Sequence, residues 1–386
     1  MSEDPIRDLL SAAAVRERAH EMLALALAGK VEGWRADLDR LADAADLTAA
    51  VTREAYPDLV IPFHARARHF VAGAPKLPDG DPANRARAAF DLVILSVLLD
   101  AGTGPGWRYG DAVTGGSYAR SEGLAVASQR MFEAGVLDNL ATLEAGTLAG
   151  GFQVSEDNPL LGLEGRAGLL RRLGAQVLAR PELFPNGRPG GLYDILAARA
   201  EDGRLPAPAI LEALLDALGP IWADRLVIDG IPLGDCWRHP AIRRDDASDG
   251  LVPLHKLSQW LSYSLIEPLE ESGIEVSDVD GLTGLAEYRN GGLFVDMGVL
   301  ALTDPDDATR EHKVSEPLIV AWRALTVALL DRMAPLVRAR LGVDEASFPL
   351  ARMLEGGSWA AGRRIAGERR PGGGPPFNII SDGTVF

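Results

Sequence analysis

Apolar residues return every three or four positions through much of this chain, and Gly or Pro interrupts them at short intervals. That pattern suits amphipathic helices and leaves little room for alternating strands. Ile6, Leu9, Leu10, Ala13, Ala14, Met22, Leu25 and Ala26 predict a helix over Pro5–Ala28, with Pro5 at its start and Gly29 and Gly33 past its end. Trp34–Val51 reads as a second helix, with Leu38, Leu41 and Ala45 on one face. Further helices are expected over residues 84–99, 117–135, 158–180, 206–218, 255–269, 314–341 and 349–370. Asn158-Pro159 and the segment from Pro181 to Gly191 are breakers. No fixed repeat stands out. The expectation is a mostly α, multi-helix globular fold with few short strands.

With 386 residues, 47% of them hydrophobic and 24% charged, the chain can bury a large core. One elaborated helical domain over residues 1–386 fits. So do two helical lobes, about 1–150 and 151–386, with a site between them. The formal net charge of −16 opposes nonspecific binding to nucleic acid or an anionic membrane surface. The single cysteine, Cys236, allows no internal disulfide and no Cys-based zinc finger. The acidic Met-Ser-Glu-Asp-Pro start lacks signal-peptide order, and no run of 18 apolar residues could span a bilayer. A cytoplasmic protein is expected, acting without a cofactor or bound metal on a small molecule.

Chemistry concentrates between Val276 and Asp296. Asp278, Asp280, Glu287 and Asp296 are four carboxylates; Tyr288, Arg289 and Asn290 add a phenol and planar donors. Gly281, Gly284, Gly291 and Gly292 allow close backbone approach or a turn. A second cluster is His64, Arg66, Arg68 and His69, after the extended entry that Pro57 and Pro62 favour. In a helix, positions 64 and 68 would share one face and 66 and 69 another. Such a cluster is either a solvated basic turn or an anion site, since Arg binds phosphate and carboxylate bidentately. The loop Asp100-Ala-Gly-Thr-Gly-Pro-Gly-Trp107-Arg-Tyr109 carries two rings able to stack on a flat ligand, and no P-loop pattern. Ser121 and Glu122 either cap the following helix or face that loop. Gly234 to Pro240 reads as a polar loop with one buried Trp, and Arg363, Arg364, Arg369 and Arg370 as a solvated helix end. The Gly/Pro-rich tail should pack back through Phe377, Ile379, Ile380, Val385 and Phe386.

Six stretches together carry a resemblance. They are Tyr56-Pro-Asp-Leu-Val-Ile-Pro-Phe-His-Ala-Arg-Ala-Arg-His-Phe70, Ser96-Val-Leu-Leu-Asp-Ala-Gly-Thr-Gly-Pro-Gly-Trp-Arg-Tyr109, Arg120-Ser-Glu-Gly-Leu-Ala-Val-Ala-Ser128, His255-Lys-Leu-Ser-Gln-Trp-Leu261, Gly284-Leu-Ala-Glu-Tyr-Arg-Asn-Gly-Gly-Leu293 and Ser381-Asp-Gly-Thr-Val-Phe386. Over nearly its whole length the chain resembles the uracil catabolism protein 4 family. It departs at Ala65 and Ala67, where that family would have a serine and a tryptophan. More distantly, Asp278 to Arg289 is similar to the acidic Asp-x-Leu-Thr-x-x-x-Asp-Tyr-Arg stretch of queuosine salvage proteins, with Glu287 in place of the second Asp. Those proteins resemble helical DNA glycosylases in fold and cleave an N-glycosidic bond.

The resemblance implies a place in pyrimidine breakdown through a ribosylurea-type intermediate. The expected reaction is hydrolysis of the N-glycosidic bond of ribosylurea or its 5′-phosphate, giving urea and ribose (phosphate). Asp280 and Glu287 are the expected catalytic pair, on the paired-carboxyl logic of glycosidases, with Asp296 in reserve. Asp100 would hold sugar hydroxyls, and Trp107 and Tyr109 would wall the pocket. Tyr288, Arg289 and Asn290, with His64, Arg66 and Arg68, would bind the rest of the substrate. The alternatives are an amidohydrolase or deaminase acting on the ureido group, with His64, His69, His239 and His255 converging, and a non-catalytic binding protein of the same route.

Overall fold

A computed structural model describes residues 4–380 except Pro105. It is mostly helical, as the periodicity predicts, and its short strands pair two by two. Among the described residues no helix is long and apolar enough to cross a membrane. The chain divides into two compact units, each assembled from separated segments. One comprises residues 4–64, 225–259 and 278–380; the other comprises residues 65–224 and 260–277. The division therefore interleaves along the sequence and does not follow consecutive lobes meeting near residue 150.

In the first unit the Pro317–Leu341 helix is the central post, and the Ala12–Leu27 and Leu41–Ala55 helices pack on it. Pro317 occupies the first turn, where its missing N–H costs nothing, and Gly342 ends the helix with φ 74°. Ser11 starts Ala12–Leu27 by accepting from the Ala14 N–H. The start of the expected second helix is instead a strand: Trp34–Ala36 runs antiparallel to Leu300–Leu302. Local helix propensity loses there to pairing with a distant segment and to burial of Trp34, whose indole donates to Leu318 O. Phe377 fills the space against Trp34 and Trp322, and Asn378–Ile380 pairs in parallel with Glu311–Lys313. The tail thus packs back through the buried Phe377 and half-buried Ile379, while the Ile380 side chain is exposed; Val385 and Phe386 lie outside the described residues.

The stretch expected to be a turn-rich loop holds a helix, Tyr288–Asp296, with Gly291 and Gly292 inside it. Packing, not turning, accounts for Gly291. A Cβ there would lie 2.8 Å from the Trp322 indole and 2.8 Å from Thr326 Oγ1, and the indole donates to Gly291 O. The Trp359–Arg369 helix crosses the same helix at Gly362, where a Cβ would come within 2.1 Å of Arg289 O. Gly362→Ala should therefore destabilise the protein by about 1–3 kcal/mol through overpacking, read as a lower midpoint in denaturant unfolding. Leu354–Ser358, just before that helix, is a π-helical turn.

In the second unit the Pro82–Leu98 helix, capped by Asp81, packs against Arg120–Glu133 and Leu163–Ala179. Arg166 of the last of these is fully buried. It donates to the carbonyls of Leu99, Ala101 and Gly102, and also to Leu161 O. This fixes the start of the Asp100 loop. The basic segment Arg66–His69 is a short 3-10 turn, so the helical spacing of positions 64, 66, 68 and 69 does not arise.

Candidate active site

Glu287 is the N-cap of the Tyr288–Asp296 helix. Its Oε2 accepts from the Arg289 N–H at 2.8 Å and its Oε1 from the Asn290 N–H at 2.5 Å. Only 7% of the residue is exposed. Burial pushes its carboxyl above the ordinary glutamate range, opposed by those N–H groups and by the charges of Lys256 and His64. The result is a buried carboxylate on a helix N-terminus with the Lys256 ammonium and the His64 imidazole within its field.

The surroundings are fixed from several sides within the same unit. Asn290 is buried, and its Oδ1 accepts from Ser358 Oγ of the π-helical turn at 2.9 Å. Glu355, from the same turn, lies 2.7 Å from His64 Nδ1 and within 3.5 Å of the Tyr56 hydroxyl. A π-turn inserts one residue per turn and re-aims side chains, a feature frequent at functional sites. Lys256 opens the Lys256–Glu271 helix, and its backbone N–H is capped by Asp235 Oδ2 at 2.9 Å. Asp235 in turn takes two bonds of 2.7 Å from Arg323 and one of 2.6 Å from the Trp237 indole. Burial alone would raise the Asp235 carboxyl; the Arg323 charge and these donors outweigh it and hold it well below the usual carboxylate range.

The other sequence candidates have distinct partners. Asp280 does not share its setting with Glu287: its Oδ2 pairs with Arg338 at 2.7 Å and its Oδ1 accepts from the Leu350 N–H at 2.6 Å. It serves as a clamp between a helix and the start of Leu350–Met353. Asp296, the reserve carboxylate, is spent on a bidentate pair with Arg370, both bonds 2.6 Å, so Arg370 is not a solvated helix end. Arg289 is buried, stacks on the Tyr288 ring at 4.7 Å and donates from Nη1 to Gly373 O at 2.6 Å. Its Nε is buried with no hydrogen-bond partner.

In the second unit, Arg66 is fully buried and donates to Asp100 Oδ2 (2.8 Å), Ser121 Oγ (3.1 Å) and Ser96 Oγ (2.7 Å). Ser121 therefore faces the Asp100 loop rather than capping its helix. Arg68 pairs with Glu267. Trp107 is 1% exposed and its indole donates to Phe152 O, so it is core rather than pocket wall; Tyr109 is also buried. The histidines named together in the sequence have separate partners: His64 has Glu355, His69 the edge of Trp260, His239 the Ala241 N–H and His255 Leu9 O. Lys256, Glu355 and Arg323 are the members that sequence reasoning did not single out, and Asp235 reads there only as part of the polar loop from Gly234 to Pro240. The signals for Lys256 are that it is among only four lysines in the chain and stands in the His255–Leu261 stretch.

A family described as "Protein of unknown function (DUF1688)" matches residues 8–386. The protein named Protein urg3 from Schizosaccharomyces pombe is 39% identical over 420 aligned residues, covering 100% of each chain. The protein named Uracil catabolism protein 4 from Lachancea kluyveri is 36% identical over 439 aligned residues, covering 100% of this chain and 99% of that one. At that identity and coverage, the chain belongs to the family of Protein urg3 and uracil catabolism protein 4, the DUF1688 family.

Proposed function

We propose that this protein acts in uracil catabolism by hydrolysing the C–N glycosidic bond of a ribosylurea-type compound, free or as its 5′-phosphate. The place in catabolism rests on the name of a full-length relative, Uracil catabolism protein 4. The chemistry rests on one observation above all, the buried Glu287 carboxyl on its helix N-terminus. As the C–N bond breaks, positive charge builds on the anomeric carbon and ring oxygen. A desolvated, preorganised carboxylate is worth most at that moment. The hydroxyl of water joins the anomeric carbon, and the proton that water loses replaces the sugar on the urea nitrogen. His64, oriented through Nδ1 by Glu355, is the proton carrier in this reading. Arg289, with its Nε buried and unpartnered, is the donor for a 5′-phosphate.

Hydrolysis of the ureido group itself is disfavoured as thiol chemistry, because Cys236 is buried in an apolar cluster and burial pushes its thiol up. The deciding assay supplies ribosylurea and its 5′-phosphate and measures urea, free sugar and ammonia separately. Urea and sugar in equal amounts are expected; ammonia without urea would replace this reading with ureido hydrolysis.

The carboxylate form of Glu287 is the working form, so kcat/KM should fall on the acid side. Its inflection should lie above the ordinary glutamate range, because burial raises the carboxyl. Lys256→Met removes a charge that favours the anion, and should move that inflection to still higher pH. The sign for stability is opposite to that for activity. A carboxyl raised by folding stabilises the fold at pH below its unfolded value, and that contribution is lost as pH rises through its folded value.

A further inference from the structure

We infer that Gln259 reads the ureido group of the substrate, donating from its side-chain N–H to the urea carbonyl; this rests on the glycosidic reading above. Gln259 sits one turn into the Lys256–Glu271 helix and is fully buried. Its Oε1 accepts from the Thr283 N–H at 3.3 Å. That bond fixes the amide, because a flipped amide would set its NH2 group against the Thr283 N–H. Nε2 is then a buried donor with no hydrogen-bond partner.

Buried amide donors are nearly always satisfied, and an unsatisfied one lowers stability. Thr283 is four residues before Glu287, and Lys256, whose charge acts on Glu287, is three before Gln259 on the same helix. The donor suits the other end of the scissile bond. While Glu287 faces the growing positive charge on the sugar, the departing ureido nitrogen passes negative charge to its carbonyl oxygen. An N–H placed there acts as an oxyanion donor. It also selects a leaving group with a carbonyl acceptor over one that presents only N–H groups.

The experiment uses the full chain and small probes of the leaving group. Wild-type turnover is inhibited with millimolar urea and, separately, with guanidinium chloride at matched ionic strength. Urea should inhibit at least about tenfold more tightly, since guanidinium offers no acceptor to an N–H. Gln259→Glu keeps an acceptor for Thr283 and replaces the donor, and should reverse that order. Gln259→Met should lower kcat about 10- to 100-fold and abolish inhibition by urea. A merely structural residue would weaken both inhibitors in parallel. If the wild type releases no urea from ribosylurea, the glycosidic reading falls and takes this inference with it. If the wild type turns over but guanidinium matches or exceeds urea, Gln259 as a carbonyl donor is overturned and the glycosidic reading stands. That second comparison needs no variant to fold.

Discussion

Glu287→Gln should lower kcat for urea release by about 10²–10³-fold, the range typical for losing a preorganised charge-stabilising group. The substitution also disturbs the fold, because both carboxylate oxygens cap the Tyr288–Asp296 helix. An amide would set one NH2 group against a backbone N–H, costing about 1–2 kcal/mol of stability. Glu287→Asp separates the two effects. Aspartate is as good a cap, so unfolding should be little changed, while its carboxylate falls one methylene short of the reacting centre and turnover should still drop. Denaturant midpoints and kcat measured on the same preparations check this. Full activity in Glu287→Asp together with full activity in Glu287→Gln would remove the carboxyl from the mechanism.

Arg323→Met should be the most destabilising single change in the site-bearing unit, by about 3–5 kcal/mol. Asp235, its side chain 10% exposed, takes two bonds from the buried Arg323, so truncating the cation leaves an anion with half of its donors gone. The loss spreads because Asp235 also caps the helix that begins at Lys256. The double change Asp235→Leu with Arg323→Leu should recover part of the loss, since it buries no lone charge. Both are read as midpoints in denaturant unfolding at pH 7. The folded state holds the Asp235 carboxyl below its unfolded value, so its stabilisation is present at neutral pH and lost in acid. The gap between wild type and Arg323→Met should accordingly narrow as the pH falls below about 4.

Helices such as Pro82–Leu98, Ala207–Leu218 and Pro317–Leu341 were legible within a few residues, because apolar spacing and Pro or Gly at the ends act locally. Trp34–Ala36 was not: its pairing with Leu300–Leu302 is a long-range event that no window of sequence contains. The Gly291-Gly292 pair looks like a turn until Trp322 is seen to need the room at Gly291. At the site, residue types are visible and partners are not. Asp280, Glu287 and Asp296 look alike in sequence, and what tells them apart is Arg338, 58 residues from Asp280, and Arg370, 74 residues from Asp296. Gln259 is an ordinary polar residue in a helix until its burial and its single partner are known.

The segmented build of the first unit bears on how the protein is made. Arg16 of the Ala12–Leu27 helix is tied to Asp331 of the Pro317–Leu341 helix across 315 residues of chain. Glu287 and the helix it caps pack against that same late helix. A ribosome adding about 5–20 residues per second therefore holds the early helices without their central post for roughly 15–60 s. Throughout that interval the apolar faces that pack on this late helix have no native partner. Contacts of such separation are slow to form, and a nascent chain in this state is a client for chaperones that shield hydrophobic surface. Yield on expression should thus depend more on translation rate and chaperone supply than the finished fold alone would imply.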